Sequence, residues 1–139
     1  LVGQRRVALS DHQITVDQAL VEIVAPVDVD LVTRVIDNLL DNALRHTPRG
    51  GRLHVGLTPS ADTVRIELGN TGPAIAPEVR EHIFAKYAQA NASGGRRDHH
   101  GLGLYFCRLA ISAHAGRIWV ESTPTWPAQF VIELPLAPD

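Results

Sequence analysis

The stretch Asn38-Leu39-Leu40-Asp41-Asn42-Ala43-Leu44-Arg45-His46-Thr47 continues an apolar series that starts upstream. Leu31, Val35, Leu39 and Ala43 recur every four residues, and Val32, Ile36, Leu40 and Leu44 widen the stripe. The spacing predicts a helix capped by Asp28 or Asp30, running to about His46 and ended by Pro48, Gly50 and Gly51. Away from the stripe, Asn38, Asn42 and Arg45 fall at i, i+4 and i+7 and share one face. Two neutral amides and a guanidinium there suit a magnesium–phosphate group. An amide oxygen ligates Mg²⁺ without adding charge, and a guanidinium pairs with a phosphate oxygen. Taken alone, the same face also reads as the solvated side of an amphipathic helix.

Downstream, residues 52–58 (RLHVGLT) and 63–69 (TVRIELG) alternate apolar and polar, which predicts a hairpin with one buried face. The segment GNTGPAIAP follows directly. Glycine there allows close backbone approach to a ligand or a positive φ, although Gly and Pro also punctuate ordinary turns. A short helix is predicted over residues 77–87 (PEVREHIFAKY), with Pro77 in its first turn. Residues 88–100 lack apolar periodicity and read as a mobile loop. Gly101-Leu102-Gly103-Leu104 then opens a helix closed by Gly116. Unpaired N–H groups at such a start attract phosphate, though a lone Gly-x-Gly is a weak signal. Residues 117–122 and 130–136 form a last hairpin. Upstream, residues 5–10 and 19–25 read as short strands. The residues between them read as a turn or a further short extended piece. The sum is an α+β fold: a two-layer α/β sandwich, with a mixed, mostly antiparallel sheet and three helices on one face.

Composition bounds the function. The chain has 139 residues, 45% of them hydrophobic and 20% charged, enough for one domain with its own core. Thirteen basic residues against fifteen acidic ones argue against a sequence-independent nucleic-acid binder. No apolar run approaches the roughly 20 residues that span a membrane, and the opening LVGQRRVALS lacks a signal-peptide core. Cys107 is the single cysteine, so no internal disulfide or cysteine zinc site forms, and a cytoplasmic location is expected. Methionine is absent, which leads us to expect a fragment of a longer protein.

The order NLLDNALRHT, then NTGPAI, then GLGLYFCRLAISAHAGRIWVES is far more specific than any one piece. With it, residues 20–136 resemble the catalytic, ATP-binding domain of bacterial sensor histidine kinases, part of the GHKL superfamily of gyrase, Hsp90 and MutL ATPases. The resemblance implies a Bergerat-type ATP-binding fold spanning residues 1–139. It implies ATP or ADP as ligand with Mg²⁺, and transfer of phosphate to a histidine on a separate dimerisation domain that in turn serves a response regulator. In that family the second asparagine of the N box holds Mg²⁺. Here that is Asn42, supported by Asn38, with Arg45 at a phosphate-contacting position and His46 near the nucleotide. Asn70, Gly72 and Ile75 fall in the segment whose aspartate accepts the adenine amino hydrogen. Phe84, Lys86 and Tyr87 fall in the F box, and residues 88–100 correspond to the ATP lid. Gly101, Leu102, Gly103 and Leu104 match the last glycine box, whose backbone N–H groups meet phosphate. Arg45 and Lys86 are implied to neutralise phosphate charge.

Three places depart from the family pattern: Asn70, Ala74, and the pair His99 and His100, which stand where many relatives have Gly-Thr or Gly-Ser. Asn70 stands where the family has aspartate; it carries no charge and adds an NH₂ donor. An unmet buried donor costs about 1–3 kcal/mol, or roughly 5–150-fold in affinity. Ala74 replaces a glycine, which strains the turn if its φ is positive. Asn70 and Ala74 motivate the alternative of a pseudokinase or partner-binding module. A serine kinase acting as an anti-sigma factor is a further, weaker reading.

The remaining single residues have plainer explanations. Asp98-His99-His100 lacks a third metal ligand. His114 suits a helix C-terminus, and His12, His54 and His82 read as surface residues. None sits in a phosphoacceptor context, so the phosphorylated histidine is expected outside this chain. Cys107 reads as an inert core residue.

Overall fold

The computed structural model describes residues 27–85 and 103–136, together with the backbone of residues 15–19. Helix α1 (Val29–His46) starts where predicted. Asp28 is extended, and its Oδ1 accepts the Leu31 N–H at 3.1 Å, satisfying one of the orphan donors of the first turn. Asp30 in the first turn and Arg45 and His46 in the last suit the helix dipole. The helix closes at Thr47, whose N–H and hydroxyl both donate to the Ala43 carbonyl. Its buried stripe comprises Val35, Leu39, Leu40, Asn42 and Ala43.

Five strands follow the order β1-β2-β3-β5-β4: β1 (Thr15–Ala19), β2 (Arg52–Pro59), β3 (Thr63–Asn70), β4 (Arg117–Glu121) and β5 (Ala128–Pro135). Only β1 on β2 is parallel; the other three pairings are antiparallel. The α+β sandwich is therefore as expected. Strand β1 realises the extended option for the residues after position 10 and takes in Ala19; the strand expected over 5–10 and the rest of the one expected over 19–25 lie outside the described residues. Alternate positions, including Val55, Ile66, Leu68, Phe130 and Ile132, point under the helices and build the core with Val35, Leu39, Cys107 and Ile111.

The third helical element differs from expectation. In place of one helix over 77–87 stand two single 3₁₀ turns, Pro77–Val79 and His82–Phe84. Buried Phe84 anchors the second turn edge-on against Phe130, with ring centroids 6.0 Å apart, so one aromatic fixes a segment too short for α-helix cooperativity.

Helix α2 (Gly103–Ala113) packs against α1 and ends in a six-residue loop. Gly116 N–H donates to Ile111 O, and Ala115 N–H donates to Ser112 O. The left-handed residue of this cap is Ala115, at φ 60°, and not the glycine. Gly116 is needed for another reason: a Cβ there would lie 2.4 Å from Glu133 O.

Candidate functional site

One end of α1, the loop after β3, the start of α2 and the start of β5 enclose a slot of about 330 Å³. Its walls are largely apolar: Ile75, Val79 and Ile83 on the loop side, Leu104 from α2, and Ala128 and Phe130 from β5. Two asparagines interrupt that lining. Asn42 is 6% exposed and reaches the slot from α1; Asn70, 1% exposed, closes it at the end of β3. His46 lines the rim. A slot of this shape, apolar with few convergent polar groups, is the usual form of a small-molecule site.

The loop that carries Asn70 is held by its own backbone. Asn70 Oδ1 accepts the Gly72 N–H at 2.7 Å. Gly72 is buried against the end of α1, where a Cβ would lie 2.2 Å from His46 O, so only glycine fits. Ala74 lines the slot without strain: among the described non-glycine residues only Ala115 has a positive φ.

Asn38 lies on the flank of the slot. The Cys107 thiol donates to the Val35 carbonyl at 3.7 Å, and a Cβ on Gly103 would sit 3.7 Å from the Asn38 Oδ1, so Asn38 faces the first turn of α2. Burial pushes the Cys107 thiol up to about 12, so it stays protonated and unreactive at neutral pH, as read from the sequence. Arg45 is exposed on the last turn of α1. Phe84 lies beneath the slot with the Arg108 guanidinium over its ring at 4.6 Å; it supports the wall without forming it. Lys86, Tyr87, Gly101, Leu102 and the lid expected over 88–100 lie outside the described residues.

Val79, Ile83, Ala128 and Phe130 join the slot from outside the sequence motifs. Their apolar periodicity marks them only as core, and nothing local shows that two turns and a distant strand converge.

Two histidines behave differently from expectation. His54 is not a free surface residue: it stacks on Trp126 with centroids 5.2 Å apart and pairs with Glu67 at 3.2 Å. His114 accepts the Asp28 N–H on Nε2, so Nδ1 carries the proton and donates to Ala110 O. A neutral ring therefore fastens the end of α2 to the N-cap of α1, where the sequence suggested a cation on the dipole. Among the described residues no group of three or more His, Cys, Asp or Glu could hold a metal, and no helix is long and apolar enough to cross a membrane.

A two-layer sandwich with a slot between its helices and the interior strands β3 and β5, lined by the buried Asn42 and Asn70, defines a class of nucleotide-type binding domain. Comparison with known proteins places the chain within that class. A sequence profile described as histidine kinase-, DNA gyrase B-, and HSP90-like ATPase matches residues 27–138, so the chain belongs to that ATP-binding family. It is a histidine-kinase-type ATPase domain. The adaptive-response sensory kinase SasA of Microcystis aeruginosa is 37% identical over 110 residues, covering 78% of this chain and 28% of the relative. The SasA of Trichormus variabilis is 38% identical over 112 residues, covering 80% and 28%. This chain thus spans just over a quarter of the length of these relatives. The solved catalytic domain of the histidine kinase ThkA superposes with a TM-score of 0.82 at 25% identity, covering 98% of this chain and 89% of that one. The mycobacterial sensor histidine kinase MprB gives 0.76 at 26% identity, covering 99% and 92%.

Proposed function

We propose that residues 1–139 form one catalytic domain of a two-component sensor histidine kinase, cytoplasmic, which binds ATP or ADP with Mg²⁺ in the slot. It presents the terminal phosphate to a histidine on a separate dimerisation domain of the parent chain, from which a response regulator is served. Asn42 supplies the amide oxygen for Mg²⁺, and Asn38, one turn earlier, supports it. Arg45 and Lys86 neutralise phosphate charge. Gly101 and Gly103 let the backbone N–H groups at the helix start approach phosphate. Bound Mg²⁺ contributes charge neutralisation of the phosphates. The domain's own part is positioning, since the nucleophilic imidazole comes from elsewhere. Ile75, Val79, Ile83, Leu104 and Phe130 offer a planar base an apolar berth.

The observation that carries this reading is the buried Asn42, held at the slot within one helical turn of the residue that faces the glycine-led start of α2. The residues present suit a Mg-nucleotide, because the slot joins an apolar wall to the amides of Asn42 and Asn70. The binding-module alternative loses one of its two grounds, since Ala74 is unstrained.

The test is calorimetric titration of ATP with and without Mg²⁺. Wild type binds in a Mg²⁺-dependent manner, and Asn42→Ala loses at least tenfold of the Mg²⁺-dependent affinity while keeping a cooperative unfolding transition. Equal affinity in both proteins, with no dependence on Mg²⁺, overturns the assignment.

A further inference from the structure

Among the described residues β4 is the last strand of the sheet, so one side of its backbone pairs with β5 and the other meets no strand. Whichever alternate set of N–H and C=O groups β4 gives to β5, the other set points outward. Such an edge is usually blunted by a proline, a bulge, a lysine or a charge turned inward. β4 has none of these. Its pairing with β5 runs unbroken from Arg117 to Glu121, and its inward side chains, Ile118 and Val120, are buried and apolar. Its charges, Arg117 and Glu121, stand at its two ends in the outer register, with Trp119 midway between them. Beside the edge, a cleft of about 310 Å³ opens between Arg108 and Ser112 of α2 and residues 116–119, so α2 does not close over the strand.

The sequence of this edge, Arg117-Ile118-Trp119-Val120-Glu121, is complementary to itself when a second copy runs antiparallel about Trp119. We propose that two copies of this chain pair through β4 about a twofold axis and join their sheets into one. Arg117 then stands opposite the partner's Glu121 at both ends of the seam, Ile118 opposite the partner's Val120, and Trp119 opposite the partner's Trp119. Opposite charges, β-branched pairs and aromatic pairs are the cross-strand combinations that stabilise antiparallel strands, and facing like charges destabilise them. A parallel pairing in the same register sets arginine on arginine and glutamate on glutamate. A one-residue slip turns one sheet over, so that the apolar inward row of one copy meets the outer row of the other. The outer ladder also continues across the seam. Arg117 pairs with Glu133 at 2.8 Å and Glu121 with Arg65 at 2.8 Å, so acidic and basic groups alternate from one copy into the next. A seam confined to one short strand and its flanks makes a weak, concentration-dependent dimer, and the twofold arrangement closes at two copies.

The test is sedimentation equilibrium of the chain without nucleotide, from about 10 µM to about 1 mM. Wild type shifts from the monomer mass toward the dimer mass across that range and no further. Arg117→Glu sets acid against acid and Glu121→Arg sets base against base, so each variant alone self-associates at least about tenfold more weakly. Mixed in equal amounts the two recover association, because each supplies the charge that the other lacks at both ends of the strand. A wild type that stays monomeric throughout, growth beyond the dimer, a dimer that neither variant weakens, or a mixture that recovers nothing overturns the proposal. Amide hydrogen exchange of wild type decides where a variant fails to fold. Protection within residues 117–121 rises with protein concentration, and unchanged protection there overturns the pairing.

Discussion

On the helix-facing side of the sheet, Val55, Val64, Ile66, Leu68, Phe130, Ile132 and Leu134 are buried and uniformly apolar. The opposite side, in the alternate register, carries His54, Arg65, Glu67, Arg117, Trp119, Glu121 and Glu133. There the side chains lie along the sheet and cover one another. Arg65 bridges Glu67 at 2.6 Å and Glu121 at 2.8 Å, and the Trp119 indole N–H donates to Glu121 at 2.9 Å. Trp126 folds back from the β4–β5 turn over His54, with the Arg52 guanidinium 5.0 Å from its ring centroid. The first face removes apolar area from water and leaves the slot where Asn70 ends the apolar row. The second protects the sheet with flat, charge-tipped side chains whose pairings water partly screens. Burial on the two faces therefore has different energetic weight, even where the exposure of a residue is the same.

The sharpest way to break that comparison is truncation on the inner face. Ile132 is fully buried between its β3 and β4 neighbours, Ile66 and Ile118. Ile132→Ala is expected to cost about 2–5 kcal/mol by urea denaturation, the range for deleting buried methylenes and leaving a cavity. A loss under about 1 kcal/mol would mean that the inner face relaxes around the gap and is not the rigid layer described.

Trp126→Ala tests the outer face. It removes the stack on His54, the cation–π contact of Arg52 and the cover over Gly69, where a Cβ would meet Trp126 at 3.0 Å. Aromatic pairing and cation–π contacts of this kind contribute about 0.5–1.5 kcal/mol each, so the expected loss is about 1–3 kcal/mol, smaller than for Ile132. Nucleotide affinity is expected to stay within twofold of wild type, because the slot opens on the other side of the sheet. A parallel loss of binding would show that the two faces are coupled.

The contrast also explains what the sequence made legible. The inner face follows local periods: 3.6 in α1, where Val35 and Leu39 recur, and 2 in β2 and β3. The fold and the asparagines at positions 38, 42 and 70 could therefore be placed without coordinates. What depends on convergence was not legible. Nothing near Val79 or Ile83 announces that two 3₁₀ turns will face Phe130 across a slot. The stack of Trp126 on His54 joins residues 72 positions apart. The sequence marks Gly116 as the residue that closes α2, whereas the left-handed position of the cap is Ala115. Here glycine is required one residue later by the close approach of Glu133 O.

The smallest expected effect isolates the charges of the outer face. Burial pushes the Glu67 carboxyl upward, but hydrogen bonds from Arg65 and His54 more than offset this, holding it below its ordinary value of 4.5. The Trp119 N–H, opposed by burial and helped by Arg65, does the same for Glu121. Both folded values lie below the unfolded ones, so the unfolded chain binds more protons in this window and stability rises with pH there. The contribution is complete above the unfolded value and is lost as pH falls below it through the folded values. Water reaches these side chains, which limits the combined effect to under about 1 kcal/mol. Urea midpoints measured from pH 7 to 3 on wild type and Arg65→Ala check it. Wild type loses more stability than the variant across the acid limb, and added salt narrows the difference. Parallel curves would mean that the ladder supplies cover and no net electrostatic stability, leaving Trp126 and Trp119 as the whole of what the outer face contributes.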